Sequence, residues 1–328
     1  MSHMHAAAQN LRGGGYLLEV SASGGQGIIE YVLIIAVIGL VIVFAGPGVA
    51  GAIRNQFNLV VNTLNSETDG GTEGGGASGG GSAGADSATV QAAIAKDAKD
   101  WTLDEQKAVA EDIAAKGEAS PAYAKAKVAM DTGTKFSVKL TNGKTMEYRI
   151  VGINHDDFAD GSGKAGLTFE AANDALDQQR MNATKTSVGG WEKSDLRDRL
   201  NTGDLWALLP SELQSKVKSV TKMTDNKGGG SGGTPSATTD KVFLLSATEV
   251  YGNFWSNDHL QSDGSQYEHY ASKGVTLRNY SVAASGYSCW TRSASTGYSM
   301  SFHYVQWNGD CGDSEASGTH WLFPAWCF

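Results

Sequence analysis

Cysteine and proline are both scarce in this sequence, with 3 and 5 residues among 328. Cys289, Cys311 and Cys327 form an odd set confined to the C-terminal end. That is not a disulfide framework, and no CxxC or Cys/His spacing suggests zinc. With so little proline and 42 glycines, the loops are shaped by glycine and not by rigid turns. Positive charge is also short: 26 Lys and Arg stand against 35 Asp and Glu, a net charge of −9, and no basic run occurs. This excludes a nucleic-acid surface, which needs clustered cations for phosphates. There is no HExxH pattern and no P-loop, and the 7 histidines are scattered. Catalysis is therefore not expected.

One long apolar run is present, in "GGQGIIEYVLIIAVIGLVIVFAGPG" at 24–48. No charged residue lies between Glu30 and Arg54. A helix over that stretch would be about 35 Å long, enough to cross a hydrocarbon core of about 30 Å. A secretory signal fits poorly, because the flank lacks a basic segment and no small-residue cleavage site follows. Ile53, Phe57, Val60, Val61 and Leu64 continue at helical spacing. Residues 66–88, "SETDGGTEGGGASGGGSAGADSA", hold no apolar side chain larger than alanine. This tract reads as a flexible linker and the clearest domain boundary.

Beyond the linker the pattern predicts short helices over Thr89–Lys99 and Thr102–Lys116, the latter opened by a Thr102/Glu105 capping box. "KFSVKLTNGKTMEYRIVGIN" alternates around Asn142-Gly143, a hairpin signal. "EKSDLRDRLNTGDLWALLPSELQSKV" predicts two helices, the second after Pro210 with Ser211 as cap. "KVFLLSATEVYG" reads as a strand and a short helix, and 228–239, "GGGSGGTPSATT", as a surface loop. From Tyr280 onward, short strands alternate with glycine turns. Helices first and strands last place the chain in the α+β class.

The residues "GGQGIIEYVLIIAVIGLVIVF" resemble the leader and N-terminal helix of type IV pilins, most of all the small type IVb (Tad/Flp-like) pilins. The resemblance covers about 40 residues and implies cleavage by a prepilin peptidase between Gly25 and Gln26. Glu30 then takes the fifth mature position, followed by Tyr31. A carboxylate in an apolar helix is costly unless paired; in a filament, Glu30 would pair with a neighbouring subunit's N-terminal amine. The implied organisation is a leader (1–25), a hydrophobic assembly helix (26–65), the linker (66–88) and a globular domain (89–328). The precursor would be membrane-inserted and the mature chain would self-assemble into a pilus at the cell surface. A plain single-pass anchor is the simpler alternative.

Blocks such as "EYRIVGINHDDFADGSGKAGLTFEA", "WEKSDLRDRLN", "DKVFLLSATEVYG" and the final "WLFPAWCF" resemble bacterial surface domains related to the C-type-lectin fold. That fold is shared by formylglycine-generating enzymes and by the variable proteins of diversity-generating retroelements. The resemblance implies a binding face near the chain end. In "SMSFHYVQW", Met300, Phe302 and Tyr304 alternate with Ser299, Ser301 and His303, so one face packs and the other meets solvent or ligand. "YSCWTRSAS" divides likewise, with Trp290 and Arg292 opposite Tyr287 and Cys289. Tyr, Ser, Asp and His among glycines suit an adaptable recognition surface. Adenine mutagenesis of AAC-type codons would yield Tyr287, Ser288, Cys289, Tyr298, Ser299, His303, Asp310, Cys311, Asp313, Ser314 and His320, the candidate ligand-binding residues.

An unknown protein or glycan is the expected target. The alternatives are a coat domain that binds nothing and a membrane-anchored formylglycine-type enzyme using Cys289 and Cys327. A Cys289–Cys311 disulfide and a free thiol both remain open. Asp156, Asp157 and Asp160 could ligate calcium, with a solvated Asx turn as the alternative, and no other cofactor is expected. "WSND" at 255–258 lies too far upstream to serve a calcium-dependent sugar site, and no proline belongs to a sugar-selecting triplet.

Overall fold

The structure is a computed structural model that describes residues 87–252 and 263–328. The leader, the apolar segment, Gly25, Gln26, Glu30, Tyr31, most of the linker and "WSND" lie outside the described residues. The last two linker residues, Ser87 and Ala88, already belong to a helix.

Three helices open the described chain: α1 (Ser87–Ile94), α2 (Leu103–Lys116) and α3 (Tyr123–Thr132). At the start of α2 the Thr102 hydroxyl accepts from the Glu105 amide at 3.2 Å, and the Glu105 carboxylate accepts from the Thr102 amide at 2.7 Å. This capping box satisfies two orphan donors, as the spacing predicts. α3 had no sequence prediction. Gly133, left-handed at φ 65°, ends it.

The expected fold with a long apolar N-terminal helix and a C-type-lectin-like head is corrected by what the described residues form. Among them no helix is long and apolar enough to cross a membrane. The longest, α2, has 14 residues, about 21 Å at helical rise, and its buried stripe includes Glu105, Gln106 and Asp112. What stands is the α+β class, built on two five-stranded sheets.

The first sheet has the order β1-β2-β3-β12-β7, with β1 Lys135–Lys139, β2 Thr145–Ile153, β3 Leu167–Ala171, β7 Val242–Phe243 and β12 Ala325–Cys327. β1 and β2 form the hairpin expected at Asn142-Gly143. The second sheet runs β10-β9-β8-β11-β4: β4 Gln178–Arg180, β8 Cys289–Ala294, β9 Ser301–Val305, β10 Cys311–Glu315 and β11 Thr319–Trp321. Among the described residues only β11 and β8 pair in parallel. A separate hairpin joins β5 (Val220–Thr224) to β6 (Ser236–Asp240).

The segment expected to hold two helices contains three, α4 (Asp195–Asn201), α5 (Asp204–Leu208) and α6 (Ser211–Gln214). Pro210 occupies the cap position of α6, so Ser211 opens that helix but does not cap it. α7 (Ala247–Tyr251) follows β7 through a second capping box, Ser246 with Glu249, and α8 is Glu268–Ala271.

A single core cluster runs from Val90 to Phe328. At its centre, Phe136, Tyr148, Phe169 and Trp326 contact one another at ring-centroid distances of 5.0–6.1 Å. The terminal Pro-Ala-Trp-Cys-Phe is thereby explained. Trp326, Cys327 and Phe328 are buried, and β12 ties the chain end between β3 and β7.

Candidate functional site

The second sheet gathers most of the candidate residues, but not on one open face. Register places His303 opposite Asp313, Val305 opposite both Cys289 and Cys311, and Tyr304 opposite Trp290 and Gly312. Alternation then puts Cys289, His303, Cys311 and Asp313 on one face, with Trp290, Phe302, Tyr304 and Ser314 on the other. His320 joins the second group, since its ring stacks on Tyr304 at 4.2 Å and meets Trp290 edge-on at 4.5 Å. A Cβ at position 312 would lie 2.7 Å from the Tyr304 ring, so only glycine leaves room for that ring to lie across β10.

Solvent reaches neither face freely. Every residue of β8 is buried, including Cys289 and Arg292, and so are Ser301 and His303. The expectation that Ser301 and His303 face solvent is corrected, because β8 and the first three residues of β9 are buried, while β10 and β11 stay partly open. His303 Nδ1 lies 3.0 Å from an Asp313 carboxylate oxygen. Despite partial burial, the His303 contact holds that carboxyl below its ordinary range.

Of the remaining candidates, Tyr287 is half-buried against Trp321 and Phe323. The Ser288 hydroxyl accepts from the Trp307 amide, and the Asp310 carboxylate accepts from the Cys311 amide. Ser299 sits in the β8–β9 turn, where its carbonyl accepts from Ser187. The glycine stretch that packs there is a built loop: Gly228 has φ +59°, and a Cβ on it would fall 1.7 Å from the Ser187 carbonyl oxygen.

Large apolar side chains are exposed at Val128 on α3, at Val188, at Met223 on β5 and in segments flanking the second sheet. Tyr298 is 61 % exposed and Met300 43 % in the β8–β9 turn, Trp307 is 63 % exposed in the β9–β10 turn, and Val282 is 43 % exposed before β8. Met300, Trp307 and Val282 were not among the predicted binding residues. Each lies within four residues of a glycine in the sequence, but alternation counting assigned Met300 to the packed face.

Sequence reasoning also missed the charged interior. Arg292, wholly buried, donates to both carboxylate oxygens of Glu249, to the Leu244 and Asp263 carbonyls and to the Thr224 hydroxyl. Lys222 Nζ lies 2.7 Å from Glu249 and 2.6 Å from Asp156, and the Tyr267 hydroxyl donates to Asp156. Burial alone would raise the acids; Lys222 overrides it at Asp156, and Arg292 with Lys222 does so at Glu249, leaving both below their ordinary range. Asp263 is different: burial pushes it up to about 6 despite Arg292 nearby.

This geometry settles where the calcium candidates sit. Asp156 turns inward to Lys222, Thr168 and Tyr267, Asp157 pairs with Lys164, and Asp160 accepts from the Ser162 amide at 2.9 Å as an Asx turn. The three do not converge, and among the described residues no group of three His, Cys, Asp or Glu is arranged to hold a metal.

The cysteines are free, so the Cys289–Cys311 pairing is absent. Cys289 and Cys327 lie in different sheets, and burial pushes both thiols well above their ordinary range, with Asp156 adding to it at Cys327. Protonated, buried thiols are poor nucleophiles. Between the sheets, Cys289 lines a cavity of about 30 Å³ with Arg149, Glu170, Tyr270 and Phe323, a volume comparable to the space taken by one water. Burial raises Glu170 even though Arg149 and Tyr270 hydrogen-bond to it.

No curated protein and no solved structure matches the chain, so the expected likeness to C-type-lectin structures gains no support. One family does match, over residues 163–327, just over half of the chain, from the loop before β3 through β12. It therefore spans the whole second sheet, β3, β7 and β12 of the first, the exposed turns, and Lys222, Glu249 and Arg292 of the charge network, while β1, β2 and Asp156 precede it. The chain belongs to the family described as a domain of unknown function, DUF6273.

Proposed function

We propose that this chain is a type IV pilus subunit of the Tad/Flp-like kind whose C-terminal domain binds an extracellular protein or glycan without catalysing a reaction. The observation that carries the binding role is the exposure of Tyr298, Met300, Trp307 and Val282 on turns and loops flanking the second sheet. Large apolar side chains held in water cost solvation and add nothing to the core. Tyr298 and Met300 stand at one end of β9, and Trp307 with the segment holding Val282 at the other, so they offer two exposed apolar points, and Trp and Tyr are common anchors of interaction sites.

The filament role rests on the sequence alone: the Gly25–Gln26 junction, Glu30 and Tyr31, and the uncharged run to Arg54. The glycine tract before the domain supplies reach, and many copies along a filament multiply weak contacts. Retroelement diversification of the codons in 287–320 is the proposed source of target range. It would act most directly at the exposed Tyr298, Ser299 and Asp313.

The test has two parts. Filaments sheared from the producing cell should contain the chain with Gln26 as its N-terminus by mass spectrometry. A chain that retains residues 1–25, or is missing from the filaments, overturns the pilus reading. Cells carrying Trp307→Ala with Tyr298→Ala should make filaments at normal yield and lose adherence at least tenfold. Unchanged adherence leaves the domain as a coat.

A further inference from the structure

A second polar site lies away from the exposed aromatic turns, at the opposite edge of the second sheet. There β4 is the edge strand, paired only with β11, and a groove of about 480 Å³ runs along it. That volume falls in the range of small-molecule sites, about 300–1,000 Å³. Its lining is almost free of apolar side chains: Gln178, Arg180, Asn182, Asp195, Arg199 and Thr319 dominate it, and Ala183 is the one apolar residue.

These groups are fixed to different degrees. Asp195 is held by the Ala183 amide at 2.7 Å, while its own amide donates to Asn182 at 3.0 Å. Arg199 is clamped by Asp204, with two hydrogen bonds of 2.8 Å. The Thr319 hydroxyl donates to the Gln178 side-chain oxygen Oε1 at 3.2 Å. Arg180, opposite Thr319 in the register, is exposed and forms no ion pair among the described residues. The groove thus offers one uncommitted guanidinium, the Gln178 side-chain amide as a further donor, and one preoriented carboxylate acceptor.

We propose that this groove is a saccharide subsite of the displayed domain, taking a carboxylate-bearing sugar of the uronate type. In this arrangement Arg180 receives the carboxylate in fork geometry, while Asp195 and the Gln178 amide serve the ring hydroxyls, which both donate and accept. A peptide partner would need apolar pockets for its anchoring side chains, and the lining supplies none. The proposal rests on the binding role above for its biological sense but uses different residues, so the two fail separately.

The experiment is calorimetric titration of the full-length chain in detergent with a galacturonic acid trimer, beside its fully methyl-esterified form and tetra-glutamate. Saturable binding of the acid trimer is expected, with the ester and the peptide each at least tenfold weaker. Arg180→Ala should weaken binding at least tenfold with an unchanged melting temperature, and Arg180→Lys should weaken it less. Arg278→Ala, the same charge change at an exposed position outside the groove, should leave it intact. The assignment is overturned by absence of saturable binding, by equal affinity for the ester or for tetra-glutamate, or by equal losses in Arg180→Ala and Arg278→Ala. None of these outcomes depends on where the chain is processed or whether it enters filaments.

Discussion

Between the sheets, Asp156, Lys222, Glu249 and Arg292 lie out of water; at the turns of the C-terminal sheet, Tyr298, Met300 and Trp307 lie in it. Both regions reverse the usual distribution of side chains, but for different reasons. The inner charges satisfy one another. Two cations meet two carboxylates, and hydroxyls and carbonyls take the remaining donors. Every charge there has a local explanation in the fold. The outer aromatics have none: they complete no core and cover no edge. A rule broken inside and repaired by pairing speaks of architecture, whereas a rule broken outside and left unrepaired speaks of a partner.

The sharpest way to break this comparison is to remove a single inner partner. Glu249→Ala would leave Arg292 without its carboxylate partner in the core and Lys222 with Asp156 alone, and loss of one member of a buried pair costs about 3–5 kcal/mol. Urea unfolding should show a large drop in midpoint with little change in slope. Should that variant fail to fold, Lys222→Met gives the graded version. It leaves the two-pronged Arg292–Glu249 contact in place and should cost less than Glu249→Ala. Equal costs would mean that Lys222, and not Arg292, carries the network.

The outer region predicts the opposite signature. Trp307→Ala and Tyr298→Ala should each change stability by no more than about 0.5 kcal/mol, the range of unremarkable surface substitutions. If they are anchors, each should cost about 2 kcal/mol of target binding. A stability loss comparable to that of Glu249→Ala would make them structural and remove the contrast.

How much of this was legible in the sequence depends on the range of the interaction. The α2 capping box and the hairpin at Asn142-Gly143 were readable because their signals span 3–10 residues and act on the local backbone. The inner network was not, since Asp156, Lys222, Glu249 and Arg292 are brought together only by strand order. Arg292 looked like a half-exposed strand residue until the packing of α7 against β8 gave it Glu249. The face assignment failed for the same reason. Period-2 alternation sorts side chains into two faces but does not say what covers each. The groove was invisible as well, because Arg180 and Thr319 meet only through the β4–β11 pairing.

Asp263, at the edge of the inner network, sharpens the comparison through pH. Its carboxyl is raised by burial to about 6 in the fold, against about 3.9 when unfolded. The native state therefore holds this proton more tightly than the unfolded chain. Its contribution to stability is fully present below pH 4 and is lost as pH rises to about 6, a change on the order of 3 kcal/mol. Asp313 has the opposite sign: lowered by His303, it stabilises above the ordinary carboxylate range and that contribution is lost on acidification. Asp263→Asn should remove the loss between pH 4 and 6 in thermal melts and leave the acid limb intact. A melting profile that keeps its fall through that window in the variant would place the responsible proton elsewhere.

The smallest effect calibrates the others. Lys127 and Asp131 form an ion pair one turn apart on α3, at 2.9 Å, both well exposed. The Asp131 carboxylate raises Lys127 in pKa through their hydrogen bond, yet water screens the pair and two long side chains must be ordered to make it. Asp131→Ala should cost no more than about 0.5 kcal/mol, and that small cost should shrink further in 0.5 M salt. Glu249→Ala, shielded from solvent, should show almost no salt dependence. If both variants respond to salt alike, the inner network is reached by water, and its charges are then no better evidence of architecture than a pair on the surface.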